Sequence, residues 1–154
     1  GCRIVEAVVE VNAAQRARMV RKIRQALGGS ESGKTIAVLG LTFKPETDDM
    51  RESPSLAILP ALVEKGAKIR AHDPQGVDEA RPLLPPEVTY CNEIYDVFDG
   101  ADAVVLMTEW NAYRGLDLSR MQSAMKGRVF IDLRNVYEPS DMTSRGFEYH
   151  GVGR

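Results

Sequence analysis

The stretch VLGLTFKPETDDMRESPS, residues 38–55, decides the fold. A short apolar run enters Gly40, and a helix start follows, with Ser53 as a hydroxyl cap and Pro54 at the first helical position. Strand, glycine turn and helix N-terminus together make the opening that lets backbone approach a phosphate. The remainder of a G-x-G-x-x-G pattern is missing. Only Gly40 is present, and Phe43, Lys44, Asp48, Asp49 and Arg51 occupy the connection. A glycine-lined pyrophosphate site is therefore not expected, and a cationic arm stands in its place. Lys44 is a mobile point charge and Arg51 a planar donor fork just before a helix. Both suit phosphate oxygens; both also suit salt bridges with Glu46, Asp48, Asp49 or Glu52.

Outward from this loop, strands and helices alternate. The run 35–41 (TIAVLGL) has the length and apolarity of a strand buried on both faces. A helix over 54–66 places Leu56, Leu59, Leu62 and Val63 inward, and Pro60 should bend it. AKIRAHD is a strand closed by Asp73-Pro74, VDEARPLLP a short helix, and VTYC a short strand. NEIYDVFDG reads as a helix capped by Asn92, DAVVLMT as a third buried strand, DLSRMQSAMKG as a helix, RVFIDL as a strand, and GFEYHGVG as a last edge strand. That order predicts an α/β fold, a doubly wound Rossmann-like parallel sheet with helices on both faces. Ligands in such folds sit at the carboxyl ends of the strands, so the loops 41–53, 72–76, 107–115 and 133–139 carry the interest.

Before the sheet lies a long helix over 1–29, ended by Gly28-Gly29. Ile4, Val8, Val11, Met19, Ile23 and Leu27 recur at helical spacing along it. At 1.5 Å per residue it reaches roughly 37 Å, more than a small domain needs. Its apolar first half predicts packing against further protein. The chain opens on Gly1 with helix already under way, which reads as a piece of something longer. The division expected is a helix over 1–29 and a globular domain over 30–154.

The 154 residues, 44% hydrophobic and 27% charged, suffice for one core. A net charge of -2 gives no reason to expect nucleic acid or an anionic membrane as partner. Cys2 and Cys91 lack metal-ligand spacing, and no long apolar run or leader pattern stands out, so a reducing, cytoplasmic setting is expected. Arg134 directly follows an apolar strand, where it fits either a ligand phosphate or a bridge to Asp132 or a neighbouring loop. Trp110 and Tyr113 favour the core edge over stacking on a base. Asp73 favours a turn role with Pro74. His72 and His150 read as structural or exposed, Cys91 as a small core residue, and Cys2 lacks a base that would make it a nucleophile.

The VNAAQR stretch of the first helix, GLTFKPETDDMRESPS, TEW after a buried strand and IDLRNVY occur in this order along the chain. Together they closely resemble the UDP-glucose/GDP-mannose dehydrogenase family, over essentially the whole chain, and most closely its members that oxidise UDP-glucose to UDP-glucuronate. The resemblance implies a dimer-forming helix followed by the domain that binds the UDP part of a sugar nucleotide. It implies Phe43, Lys44 and Arg134 as substrate-binding residues, and Arg51 as an arginine reaching toward the phosphates of NAD held mainly by another domain. The family's nucleophilic cysteine lies in a glycine-rich motif upstream of the helix, and this chain has no such motif. No catalytic residue is therefore expected here, and the isolated chain is expected to be inactive. A receiver-like phosphate-binding module is the competing reading. It is disfavoured because VLMTEW offers no acceptor aspartate.

Overall fold

A computed structural model describes residues 2–153, with side chains from residue 13 onward. Helix α1 covers Cys2–Ala26. Then come β1 (Thr35–Leu39), α2 (Ser55–Glu64), β2 (Lys68–His72), α3 (Val77–Ala80), β3 (Thr89–Tyr90), β4 (Ala103–Leu106), α4 (Leu118–Ala124), β5 (Val129–Asp132), α5 (Pro139–Ser144) and β6 (Glu148–Gly151). The six strands form one sheet in the order β3-β2-β1-β4-β5-β6, and every pairing is parallel. The order reverses between β1 and β4, so the loops after these two strands flank the switch point.

Alternation along the strands splits the core into two layers. Ile36 and Val38 of β1, with Ala103 and Val105 of β4, face α1, α2 and α3. Ala37 and Leu39, with Val104, Leu106 and Phe130, face α4, α5 and the 3-10 turn Ile94–Phe98. Strands covered on both faces cannot alternate with polar residues, which is why they read as unbroken apolar runs. Ile58, Leu59 and Leu62 of α2 are fully buried, each side chain worth about 2 kcal/mol; Leu56 and Val63 are only partly covered. The second half of α1 joins the first layer through Met19, Val20, Ile23 and Leu27. The side chains of Cys2, Ile4, Val8 and Val11 lie outside the described residues.

Two local expectations are corrected, and one element is added. Residues 94–98 form a 3-10 turn entered from Glu93, so Asn92 caps nothing. Ser53 hardly caps α2. Its hydroxyl, like that of Ser55, donates to the Leu41 carbonyl, which ties the helix start to the end of β1. Helix α5 was not read in the sequence, since PSDMTS has a single apolar residue, Met142, to bury.

Arg24, near the end of α1, donates through Nε and Nη2 to the two carboxylate oxygens of the buried Glu31, both at 2.8 Å. This fork anchors the helix to the short SESGK connection, residues 30–34, that leads into β1. Arg24 holds the Glu31 carboxyl below the usual carboxylate range. A depressed folded-state value stabilises the fold above the unfolded value of about 4.3, and that contribution is lost as pH falls below it. The Glu31→Gln variant should therefore show a flatter loss of stability than the parent between about pH 5 and pH 3, measured by urea unfolding at each pH.

Gly40 (φ +94°) passes so close to Thr108 that a β-carbon would lie 2.5 Å from the Thr108 Cβ. Gly40→Ala should cost about 2–4 kcal/mol by chemical denaturation, from left-handed strain plus overpacking.

Candidate functional site at the carboxyl edge of the sheet

The carboxyl edge is built on two buried aspartates at strand ends. Asp73 follows β2. Its Oδ2 accepts the Leu41 N–H at 2.7 Å and the Thr42 N–H at 3.1 Å. Its Oδ1 accepts the N–H groups of Gln75 at 3.0 Å and Gly76 at 2.7 Å. Asp132 ends β5. One oxygen accepts the Arg134 N–H at 3.1 Å; the other accepts the N–H groups of Val136 (2.8 Å) and Tyr137 (2.9 Å) and the Tyr149 hydroxyl (2.8 Å). A buried carboxylate needs this many donors to offset its desolvation. In return it fixes the backbone of the loop around it.

Asp73 also settles what became of the glycine pattern. The Leu41 and Thr42 N–H groups are those that would face a pyrophosphate in a dinucleotide site. Here an internal carboxylate takes them. The acid that would hold a ribose is the same Asp73, and it is turned inward. These residues do not fit NAD in the usual manner of this fold.

The loop after β1 is closed further by Thr108, whose hydroxyl donates to the Thr42 carbonyl at 2.7 Å. On this fixed loop Phe43 stands 47% exposed. Lys44 beside it is exposed, and its ammonium has no hydrogen bond or ion pair among the described residues. Arg51, 89% exposed, forks onto Asp49 of its own loop at 3.0 and 3.1 Å and holds that carboxyl below its ordinary range. Arg134 donates through Nε to Glu109, in the loop after β4. Of the two alternatives for a structural arginine, the neighbouring loop is the partner of its side chain. Because β1, β4 and β5 are adjacent, Phe43, Lys44, Glu109 and Arg134 share one rim. Arg51 is on the far arm of the first loop. Among the described residues, three non-glycine residues have positive φ: Glu46 (63°), Glu52 (61°) and Asn135 (52°). All three lie on the two loops carrying Lys44 and Arg134, and such strain collects where function constrains backbone.

Trp110 and Tyr113 are buried in the core and unavailable for stacking. The Tyr113 hydroxyl donates to the His72 carbonyl at 3.0 Å and lies 2.8 Å from His72 Nδ1. Burial lowers the His72 pKa and keeps its ring neutral. Tyr137, whose hydroxyl donates to the Tyr113 carbonyl, is pushed up to about 12 by burial. Two open cavities adjoin the rim. One of about 560 Å³ lies beneath the first loop, lined by Asp48, Met50, Arg51, Leu56 and Leu83. One of about 310 Å³ lies at the ends of β2 and β3, lined by His72, Gln75, Arg81 and Asn92. Phe43, Lys44 and Arg134 line neither; they stand on the open rim. Glu109 and Asp132 were not singled out as working residues in the sequence. The signal for Glu109 was its place directly after the strand that neighbours the one before Arg134.

Residues 37–139 match the family model described as "UDP-glucose/GDP-mannose dehydrogenase family, UDP binding domain". The chain is 44% identical over 152 residues to a UDP-glucose 6-dehydrogenase of Rhizobium meliloti, covering 99% of this chain and 35% of that protein. It is 39% identical over 157 residues to one of Pseudomonas aeruginosa, with 99% and 35% covered. Its structure resembles a UDP-glucose dehydrogenase of Pyrobaculum islandicum, with a TM-score of 0.77 and 35% identity over 96% of this chain and 31% of that one. It also resembles a UDP-D-ManNAc dehydrogenase of Pyrococcus horikoshii, with a TM-score of 0.71 and 27% identity over 92% and 30%. The chain thus spans about a third of the length of the curated relatives it matches. Among the described residues no helix is long and apolar enough to cross a membrane.

Asp73→Ala should cost about 3 kcal/mol in chemical denaturation, because four backbone donors lose one shared acceptor. Asp73→Asn, which keeps one carbonyl oxygen, should cost less.

Proposed function

The chain belongs to the UDP-glucose/GDP-mannose dehydrogenase family as its UDP-binding domain, and we propose that it is the C-terminal, substrate-binding part of an NAD-dependent UDP-glucose 6-dehydrogenase that makes UDP-glucuronate. One observation carries the reading. An exposed aromatic ring and an unpaired ammonium, Phe43 and Lys44, stand side by side on a loop whose backbone is already closed by Asp73, Thr108 and Ser53. Folding requires neither side chain there. A nucleoside diphosphate offers both counterparts, apolar surface on its base and ribose and negative charge on its phosphates.

In this reading Lys44 and Arg134 take the diphosphate and Phe43 packs on the nucleoside or sugar. Lysine donates to several oxygens without demanding planar geometry. Arg134 keeps its terminal amines for phosphate while Glu109 holds its Nε. The binding energy of this remote part of the substrate positions the reacting carbon against groups outside this chain. Arg51 is exposed enough to reach the phosphates of an NAD held elsewhere in the protein. The first helix, 1–29, forms a homodimer, and residues 30–154 hold the UDP-sugar. The nucleophilic cysteine and the NAD-binding domain belong to the remainder of the protein, so this chain alone is inactive. Its setting is cytoplasmic. Support for the UDP-glucose assignment comes from the relatives that bear that activity in their names.

Calorimetric titration with UDP, GDP and NAD in turn tests this directly. UDP should bind with heat, and NAD should not. Lys44→Ala should weaken UDP by about 10- to 100-fold, the loss of a charge-assisted bond. A Lys44→Ala variant of the complete enzyme with an altered KM for NAD and an unchanged KM for the sugar nucleotide would overturn the assignment.

A further inference from the structure

The loop that carries Phe43, Lys44 and Arg51 packs one side chain, Met50, into the core and is otherwise held from outside by hydrogen bonds near its two ends. At its start, Asp73 and Thr108 grip residues 41 and 42. Between residues 43 and 52 the hydrogen bonds are local: the Thr42 hydroxyl donates to the Lys44 carbonyl, the Ser53 N–H to the Met50 carbonyl, and the rest are internal. The Phe43 N–H donates to the Asp49 carbonyl, the Asp49 N–H to Thr47 Oγ1, and Arg51 to Asp49. Among the described residues one hydrogen bond reaches this segment from a distant part of the fold. Arg16 of α1 donates from Nη2 to the Glu52 carbonyl at 2.9 Å, across 36 residues of sequence.

Glu52 is an unusual place to attach. Its φ of +61° is left-handed for a side chain with a β-carbon, and such a conformer persists only where neighbours impose it. Ser53 secures one side through its bond to Leu41. Arg16 secures the carbonyl of Glu52 itself. The same nitrogen lies 3.7 Å from the Glu52 carboxylate, but that acid is 74% exposed and the ion pair adds little. The carbonyl bond is the specific contact. Arg16 is also the arginine of the VNAAQR stretch, which the nucleotide-site reading leaves without a task.

We propose that Arg16 is a positioning residue. By holding the Glu52 peptide it sets the shape of the loop from the first helix, so that the placement of Lys44 and Arg51 depends on how α1 lies against the domain. The ligand half of this inference rests on the reading that the loop holds a nucleoside diphosphate; the structural half does not.

Amide hydrogen exchange of the ligand-free chain tests the structural half. In Arg16→Gln the internally bonded amides of Phe43 and Ser53 should exchange about tenfold faster, and the β1 and β4 amides should keep their protection. Arg16→Lys, which keeps a cationic donor, should restore most of the protection, and Glu52→Gln, which keeps the carbonyl, should change little. Unchanged loop exchange in Arg16→Gln overturns the proposal, and so does exchange that rises equally through β1 and β4. Calorimetry with UDP tests the ligand half. Arg16→Gln should weaken UDP about fivefold by loosening a pre-organised loop. UDP affinity unchanged by Arg16→Gln but reduced by Lys44→Ala removes the coupling. Affinity unchanged by Lys44→Ala removes the nucleotide reading instead, and the exchange measurement then judges Arg16 alone.

Discussion

The rim depends on one buried carboxylate satisfied by backbone. Asp73 gathers four N–H groups from two loops and sets the path of the chain after β1. In a dinucleotide site of this fold a ligand phosphate draws comparable N–H groups together when it binds. Here the acid is part of the fold, and the loop is shaped before any ligand arrives. Asp132 repeats the device on β5. Backbone is thereby used up in structure, and recognition passes to side chains that reach beyond it.

The cations of the rim differ in what they can contribute. Lys44 makes no hydrogen bond or ion pair through its ammonium among the described residues, though its charge helps to lower the Asp49 carboxyl. Arg51 and Arg134 are already engaged with Asp49 and Glu109. For Arg51, whose Nε and Nη2 are both on Asp49, exchanging that carboxylate for a phosphate would yield little net energy, since one ion pair replaces another. Glu109 also repels an anion that approaches Arg134 from the wrong side, which favours orientation over strength.

The architecture was legible because the strands are covered on both faces. Runs such as TIAVL and AVVL can only be interior strands, and glycines or Asp-Pro mark their ends. The loop after β1 declared its cations and four acids that could pair with them, but not which acid is taken. Nothing in the spacing says that Arg51 closes on Asp49, two residues back, or that Arg134 crosses to Glu109. The first pairing is decided by the local path of the loop; the second follows from strand order, which one sequence does not state. Asp73 was readable as a turn residue through Pro74, but its reach to Leu41 and Thr42 was not, for those donors lie about thirty residues away. Helix α5 and the 3-10 turn at residues 94–98 were missed or misjudged because short helices are decided by packing more than by pattern.

At the switch point Gly40 and Thr108 nearly touch, which leaves no crevice between the two central strands for a phosphate to wedge into. In the proposed reading, a nucleoside diphosphate held by Phe43, Lys44 and Arg134 lies across the top of the sheet rather than between its central strands. In that reading the domain is half of a vice: it presents a shaped floor, and the groups that meet the reacting carbon come from outside this chain.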